Sequence, residues 1–437
     1  MIDKEIAKTI YIVALPTMIH MLLESSYHFV DTFWIGMLGS DALAGATAAS
    51  FFIWMIFSAT ALVEVGVNSL VARCYGAKDY EKMKQVSVQG ARLGIMISIF
   101  ISILGIFFIE DALKLMGVEN IVIYNSILFI FPLFVGLPLF TLNLTNFATF
   151  RGSGDTKTPL IILLIQVISN VILAPIFIFY LNFGMAGAIT ATFVCQIVSF
   201  FIGVYFLQKK ELIVPAKKII DFEIWKEISL VGSPIALNGV IFCVVYLFLT
   251  KVVSQFGTPA IAALGLGHRV ESISYCICVG FCIAATTLVG QSVGARDYVK
   301  AKKFAWTINL YAGSIILFIS IVVFLSKSFL IGLFTSDPKI FEYTSQYLLV
   351  LIFIEVFMAF EVVMEGVFSG YGNTLPASII GFPLNIARVP LAYFLASIYG
   401  VMGIWYAIGL TTILKGSLLL IWFYFSTITK KTSKNLI

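Results

Sequence analysis

The sequence predicts an all-α integral membrane protein, with twelve transmembrane helices in two six-helix lobes related by a pseudo-twofold along the membrane normal. Three observations lead there. Of 437 residues, 60% are hydrophobic and 12% charged, with mean hydropathy +1.01, whereas soluble domains hold about 45–50% apolar and about 25% charged residues. Apolar runs long enough to cross a hydrocarbon core of about 30 Å recur down the whole chain. Finally, one pattern of glycines, prolines and charges is written twice, 218 residues apart.

The runs fall at 10–37, 42–72, 86–109, 121–149, 158–181 and 185–208, then at 227–256, 259–291, 304–327, 342–370, 375–397 and 401–426. Each is bounded by a turn signal or a charge cluster. The hydrophilic stretch 209–226 reads as a cytoplasmic linker between an N-lobe, 1–208, and a C-lobe, 227–437. Basic residues sort by side. Lys4, Lys8, Arg73, Lys78, Lys82, Lys84, Arg151, Lys157, Lys209, Lys210, Lys217, Lys218 and Lys226 lie on one face. Arg296, Lys300, Lys302, Lys303, Lys430, Lys431 and Lys434 join them, and the opposite face keeps Lys114, Lys327 and Lys339. The positive-inside rule then puts both termini in the cytoplasm, as an even number of spans requires, in a cell (inner) membrane. Asp3 and Glu5 spoil a basic leader, so a cleavable signal is not expected. The six cysteines lie almost wholly within spans and read as small buried thiols rather than disulfides or metal ligands.

The repeat is the strongest organising signal. Pro16 pairs with Pro234 and Gly39 with Gly257; Gly76-Ala77-Lys78-Asp79-Tyr80 pairs with Gly294-Ala295-Arg296-Asp297-Tyr298, all at an offset of 218. Arg151 to Thr156 meets Ser369 to Thr374 at the same offset, and Asn170 and Pro175 then match Asn385 and Pro390 at 215. Six spans per unit make the repeats parallel, an arrangement that favours a pathway between halves with alternating access. Pro16 and Pro234 each remove a helical hydrogen bond and are candidate hinges.

In the first span His20, Glu24, His28 and Asp31 fall within roughly 80° on a helical wheel, with Tyr27 on the same strip. An acid at the centre of a spanning helix costs about 2.5–3.5 kcal/mol, so it either meets partners on other helices or serves transport. Burial and a second carboxylate favour the protonated form of Asp31, whereas a nearby ammonium favours the ionised form. That opposition lets a cation expel a proton and the reverse. Asp31 is therefore the candidate exchange site, tuned by Glu24 and His28. A second candidate cluster is Glu361 and Glu365 with Glu355, facing Arg388 and Lys415 either as structural ion pairs or as a coupling site. Tyr27, Trp34, Glu64 and Glu271 are candidates for lining a substrate path, and Trp54 among the many aromatics suits lipophilic cations. No P-loop, HExxH or paired CxxC motif is present, so neither ATP hydrolysis nor metal-dependent catalysis is indicated, and no metal site, cofactor or nucleic-acid partner is expected.

FVDTFWIGMLG in the first span, the GAKDY and GARDY blocks, RGSGDTKTP and the NVILAP…GMAGAITAT run together resemble the multidrug and toxic compound extrusion (MATE) family over nearly the whole chain. The resemblance implies a secondary antiporter that exports organic cations or amphiphilic drugs against H⁺ or Na⁺ entry. In one bacterial branch, acids on the first and fifth helices with an Asn and a Thr form the N-lobe site. Here Asp31, Asn170 and Thr192 match, and Ala174 replaces the fifth-helix acid. In another branch, acids on the seventh and tenth helices form a C-lobe site. Here Asn238 to Tyr246 contains no acid, and the tenth-helix position falls near Met358. The expected function is cation-coupled export, with H⁺ favoured over Na⁺, by a chain that is not an enzyme and works as a monomer in the bilayer. The alternatives are a lipid-linked saccharide flippase of the same superfamily, kept open by Arg388 and Lys415, and a membrane-embedded enzyme acting on lipid.

Overall fold

The computed structural model describes residues 4–115, 119–214 and 218–429, with the backbone alone at 28, 29, 115 and 427–429. Lys217, Lys430, Lys431 and Lys434, used above to orient the chain, lie outside the described residues, as does the side chain of His28. The elements are α1 (Lys4–Gly36), α2 (Ser40–Gly76), α3 (Tyr80–Leu115), α4 (Asn120–Gly152), α5 (Lys157–Pro175) and α6 (Gly184–Lys209). They continue as α7 (Phe222–Ser254), α8 (Thr258–Gly294), α9 (Tyr298–Gly332), α10 (Pro338–Tyr371), α11 (Leu375–Tyr399) and α12 (Val401–Thr429). All twelve helices are long and apolar enough to cross a membrane. Several overrun the span read from the sequence, because a helix needs only about 20 residues to cross the core and its polar ends continue into the interface. At 37 residues α2 and α8 are the longest. One departure from α geometry follows Pro175, where Ile176–Tyr180 forms a π-helical turn closed by Leu181 N–H donating to Ile176 O at 2.8 Å.

The duplication is visible in the turns. Lys78 and Arg296 adopt the left-handed conformation at φ 60° and 61°. In each turn the next aspartate caps the following helix, Asp79 accepting from Lys82 N–H at 3.0 Å and Asp297 from Lys300 N–H at 2.9 Å. Gly39 and Gly257 share positive φ (117° and 85°), as do Gly154 and Gly372 (92° and 79°). The α4–α5 turn is also tied by charge. Burial works against ionisation of Asp155, but the Lys210 ammonium and the Thr158 hydroxyl and N–H outweigh it and hold the carboxyl below its usual range.

Two compact units result, Ile19–Ala236 and Leu237–Ile437 with Met1–Met18. Their boundaries differ from the lobes drawn at the linker. The chain changes unit two residues after Pro16 and, 218 residues on, two residues after Pro234. Close backbone approach explains the assignment. A Cβ at Gly232 in α7 would lie 1.8 Å from Leu62 O of α2, and one at Gly280 in α8 would lie 2.6 Å from Met18 Cα of α1. Only glycine allows these crossings. Thr17 Oγ1 reinforces the second by donating to Gly280 O at 2.8 Å while also bonding Ala14 O at 2.8 Å beside the proline. The linker belongs to the unit 19–236, where Arg92 donates to Lys218 O and Ile219 O at 2.7 and 2.6 Å.

Candidate functional site

In the unit 19–236, α1, α5 and α6 bring four polar side chains together in an apolar setting. Asn170 is fully buried, and its amide donates to Tyr27 Oη at 3.2 Å and to Thr192 Oγ1 at 3.1 Å. The Thr192 hydroxyl faces Asp31 Oδ2 at 3.3 Å and shares its hydrogen with Ala188 O at 3.2 Å. Asp31 is 7% exposed, and its Oδ1, like Asn170 Oδ1, has no hydrogen-bond partner among the described residues. Two open acceptor oxygens in a buried site invite a proton or a small cation, since a buried acceptor left unsatisfied is costly. Around them Ile35, Ala174, Ile178, Ala188 and Ala191 form one apolar cluster. Ala174 lies within that cluster, so the fifth helix supplies no second acid. The π turn follows it directly, a feature often found beside functional groups.

The strip read on α1 divides between two sites. Asp31 and Tyr27 belong to the Asn170–Thr192 group, whereas Glu24 faces Glu64 of α2 and Arg151 of α4 electrostatically. Arg151 reaches back from the end of α4 into the bundle, where it is 2% exposed and donates to Glu64 Oε1 at 2.7 Å. Glu64 is thus one half of an ion pair rather than a lone acid. His20 is buried edge-on against Phe147 at 5.3 Å. Trp34 packs on Phe33 and on Phe179 of the π turn, and Trp54 is 60% exposed.

In the other unit the second candidate cluster also separates. Glu361 forms an ion pair with Lys415. Glu365 accepts from Asn238 Nδ2 at 3.0 Å, and Asn238 Oδ1 accepts from Asn385 at 3.0 Å. Asn385 is the repeat counterpart of Asn170, so the asparagine signal could have located this chain of groups. Arg388 does not pair with the glutamates; it donates to Thr411 at 2.9 Å and Thr412 at 3.2 Å and stacks over Phe242 at 5.7 Å. Glu355 stands apart from Glu361 and Glu365, buried beside Ser274 and Ser320 with Oε2 lacking a partner among the described residues. Glu271 accepts from Tyr347 Oη at 2.9 Å and faces His268 Nδ1 at 3.1 Å. The sequence reading missed His268, although its i, i+3 spacing from Glu271 on a helix was a usable signal.

Twelve spanning helices in a duplicated pattern, with polar groups from several helices converging inside each unit, define a polytopic protein of the secondary-transporter type. The chain belongs to the MATE family: the MatE family profile matches residues 16–176 and 234–394, one match in each half. It is 26% identical over 433 residues to the Thermotoga maritima protein named "Probable multidrug resistance protein NorM", covering 96% of this chain and 92% of that one. It is 25% identical over 430 residues to a Shewanella oneidensis protein named "FAD transporter", covering 95% and 94%. Its fold matches the crystal structure of a mutant of the Vibrio cholerae MATE transporter VcmN with TM-score 0.93 at 20% identity, over 99% of this chain and 98% of that one.

Proposed function

We propose that this chain is a cation-coupled antiporter that exports lipophilic organic cations across the cell membrane, with both termini cytoplasmic and one chain as the working unit. The observation that carries the reading is the single carboxylate of Asp31, held by Thr192 within a neutral group and leaving Oδ1 open. Such a group binds a proton or a cation and cannot favour both at once, which is the physical requirement for exchange. H⁺ is the favoured coupling ion. A metal cation such as Na⁺ wants several oxygen ligands, whereas Asn170 spends its amide hydrogens on the Tyr27 and Thr192 oxygens and leaves few open. Relatives named for multidrug resistance support the drug-like substrate class.

Ethidium efflux from cells expressing the protein tests the reading. Loss of efflux on adding an uncoupler selects H⁺, loss on sodium removal selects Na⁺, and efflux indifferent to both refutes coupled export. A second reading, transport of an anionic amphiphile such as a flavin nucleotide or a lipid-linked saccharide, draws on Arg388. This cation is 5% exposed and makes no ion pair among the described residues. Flavin nucleotide uptake into everted vesicles, abolished by Arg388→Gln, would favour it.

A further inference from the structure

His268 and Glu271 form an ionisable pair inside α8 that the Asp31 site does not use. The pair is walled by aromatic rings. Tyr246 of α7 meets the imidazole edge-to-face at 4.8 Å, and Tyr347 of α10 lies 5.7 Å from it and 4.9 Å from Trp405 of α12. The chemistry of each nitrogen follows from its neighbours. Nδ1, 3.1 Å from Glu271 Oε2, carries a hydrogen, because that oxygen also accepts from Tyr347 Oη and acts as a carboxylate. Nε2 is buried and has no hydrogen-bond partner among the described residues, so its lone pair is open. The side chains are 28% and 19% exposed, so the pair is not sealed in the core of its unit.

Duplication sharpens the point. At the repeat offset, the counterparts of His268, Glu271 and Tyr347 are Ser50, Ile53 and Phe129, none of them ionisable in this range. The pair is confined to one half of a duplicated chain, and a packing role common to both halves does not explain it. Ionisable groups within a span are retained at a cost in insertion energy.

We infer that His268 is a second proton-binding residue of the transporter, taking a proton at Nε2 and holding it as an imidazolium ion-paired through Nδ1 to Glu271. This inference rests on the antiport reading above. Facing the pair are Tyr246 from α7, Tyr347 and Glu355 from α10 and Arg388 from α11, the last acting on Glu271 through space. The two proton-binding residues then belong to opposite halves of the chain, each taking up and releasing its own proton.

The chain has three histidines, so ring signals of labelled protein can be assigned by difference with His268→Gln. The expected result is a His268 signal that moves with pH and a response that changes when the carboxylate is removed in Glu271→Gln. In proteoliposomes, His268→Gln should flatten the pH dependence of ethidium transport. A His268 signal indifferent to pH, or a wild-type pH profile in His268→Gln, overturns the inference. Should His268→Gln not fold, Glu271→Gln decides between the same two outcomes: a flattened pH dependence of ethidium transport supports the inference, and a wild-type profile overturns it. Asp31→Asn run alongside separates the two failures. Transport lost there with a wild-type profile in His268→Gln sinks only this inference, whereas transport retained in Asp31→Asn sinks the antiport reading itself.

Discussion

Asp31→Asn removes the one carboxylate of the Asn170–Thr192 group while nearly preserving its shape. The substituted side chain still offers an oxygen to Thr192, which also keeps its bond to Ala188 O, so the structural loss is about 1 kcal/mol or less. The functional loss is larger. An organic cation about 4 Å from a carboxylate, at an effective dielectric of about 20, gains about 4 kcal/mol, or about a thousandfold in affinity. No second acid stands in, because Ala174 occupies the fifth-helix position and Glu24 faces Glu64 and Arg151 instead. Ethidium movement in everted membrane vesicles, driven by an imposed pH gradient, should therefore fall to background while protein yield and melting temperature stay close to wild type. Gradient-driven movement near the wild-type rate would refute the assignment of exchange to Asp31.

Asn170→Leu deletes both bonds of a buried amide, and leaving Tyr27 and Thr192 short of a donor should cost about 1–3 kcal/mol per group, read as a lower melting temperature in detergent together with lost transport. Glu64→Gln takes the ion-pair partner from the buried Arg151 and should lower yield and melting temperature, by less than the about 3–5 kcal/mol of a fully stranded charge because Glu24 also faces Arg151. Adding Arg151→Gln should recover much of the loss, and no recovery would mean the pair is not the stabilising contact. Because the Asp155 carboxyl is held below its ordinary range, its contribution is present above the unfolded value near 3.9 and is lost as pH falls below that. The melting difference between wild type and Asp155→Asn should accordingly persist from about pH 8 to about pH 5 and close only below about pH 4.

Much of the architecture was legible because hydrophobic length and repeated turn residues are local signals. The GAKDY and GARDY blocks announced twin turns, and both adopt one geometry, although the left-handed residue is Lys78 or Arg296 rather than a glycine. The exchange of first half-helices between units was not legible. It depends on backbone contact at Gly232 and Gly280, which no periodicity encodes. The π turn after Pro175 was likewise invisible, since Pro175 marks an interruption without saying its form.

The site was partly legible. Asp31 stood out by its insertion cost, but Asn170 and Thr192 were found through family resemblance, because neither residue type is unusual in a helix. Grouping Glu24 with Asp31 followed from the helical wheel, which reports a shared face and not the partners that face meets. Arg151 was assigned to a loop by the charge rule, and its long side chain turns back to Glu64. His268 was overlooked because Glu271 was read as a single acid, without its neighbour one turn away.

The most direct test is to count protons released when ethidium is added to purified protein in weakly buffered detergent. The exchange mechanism predicts release of a proton on binding by the wild type and none by Asp31→Asn. Ethidium binding at full affinity with no proton released, or equal release from both proteins, would contradict it.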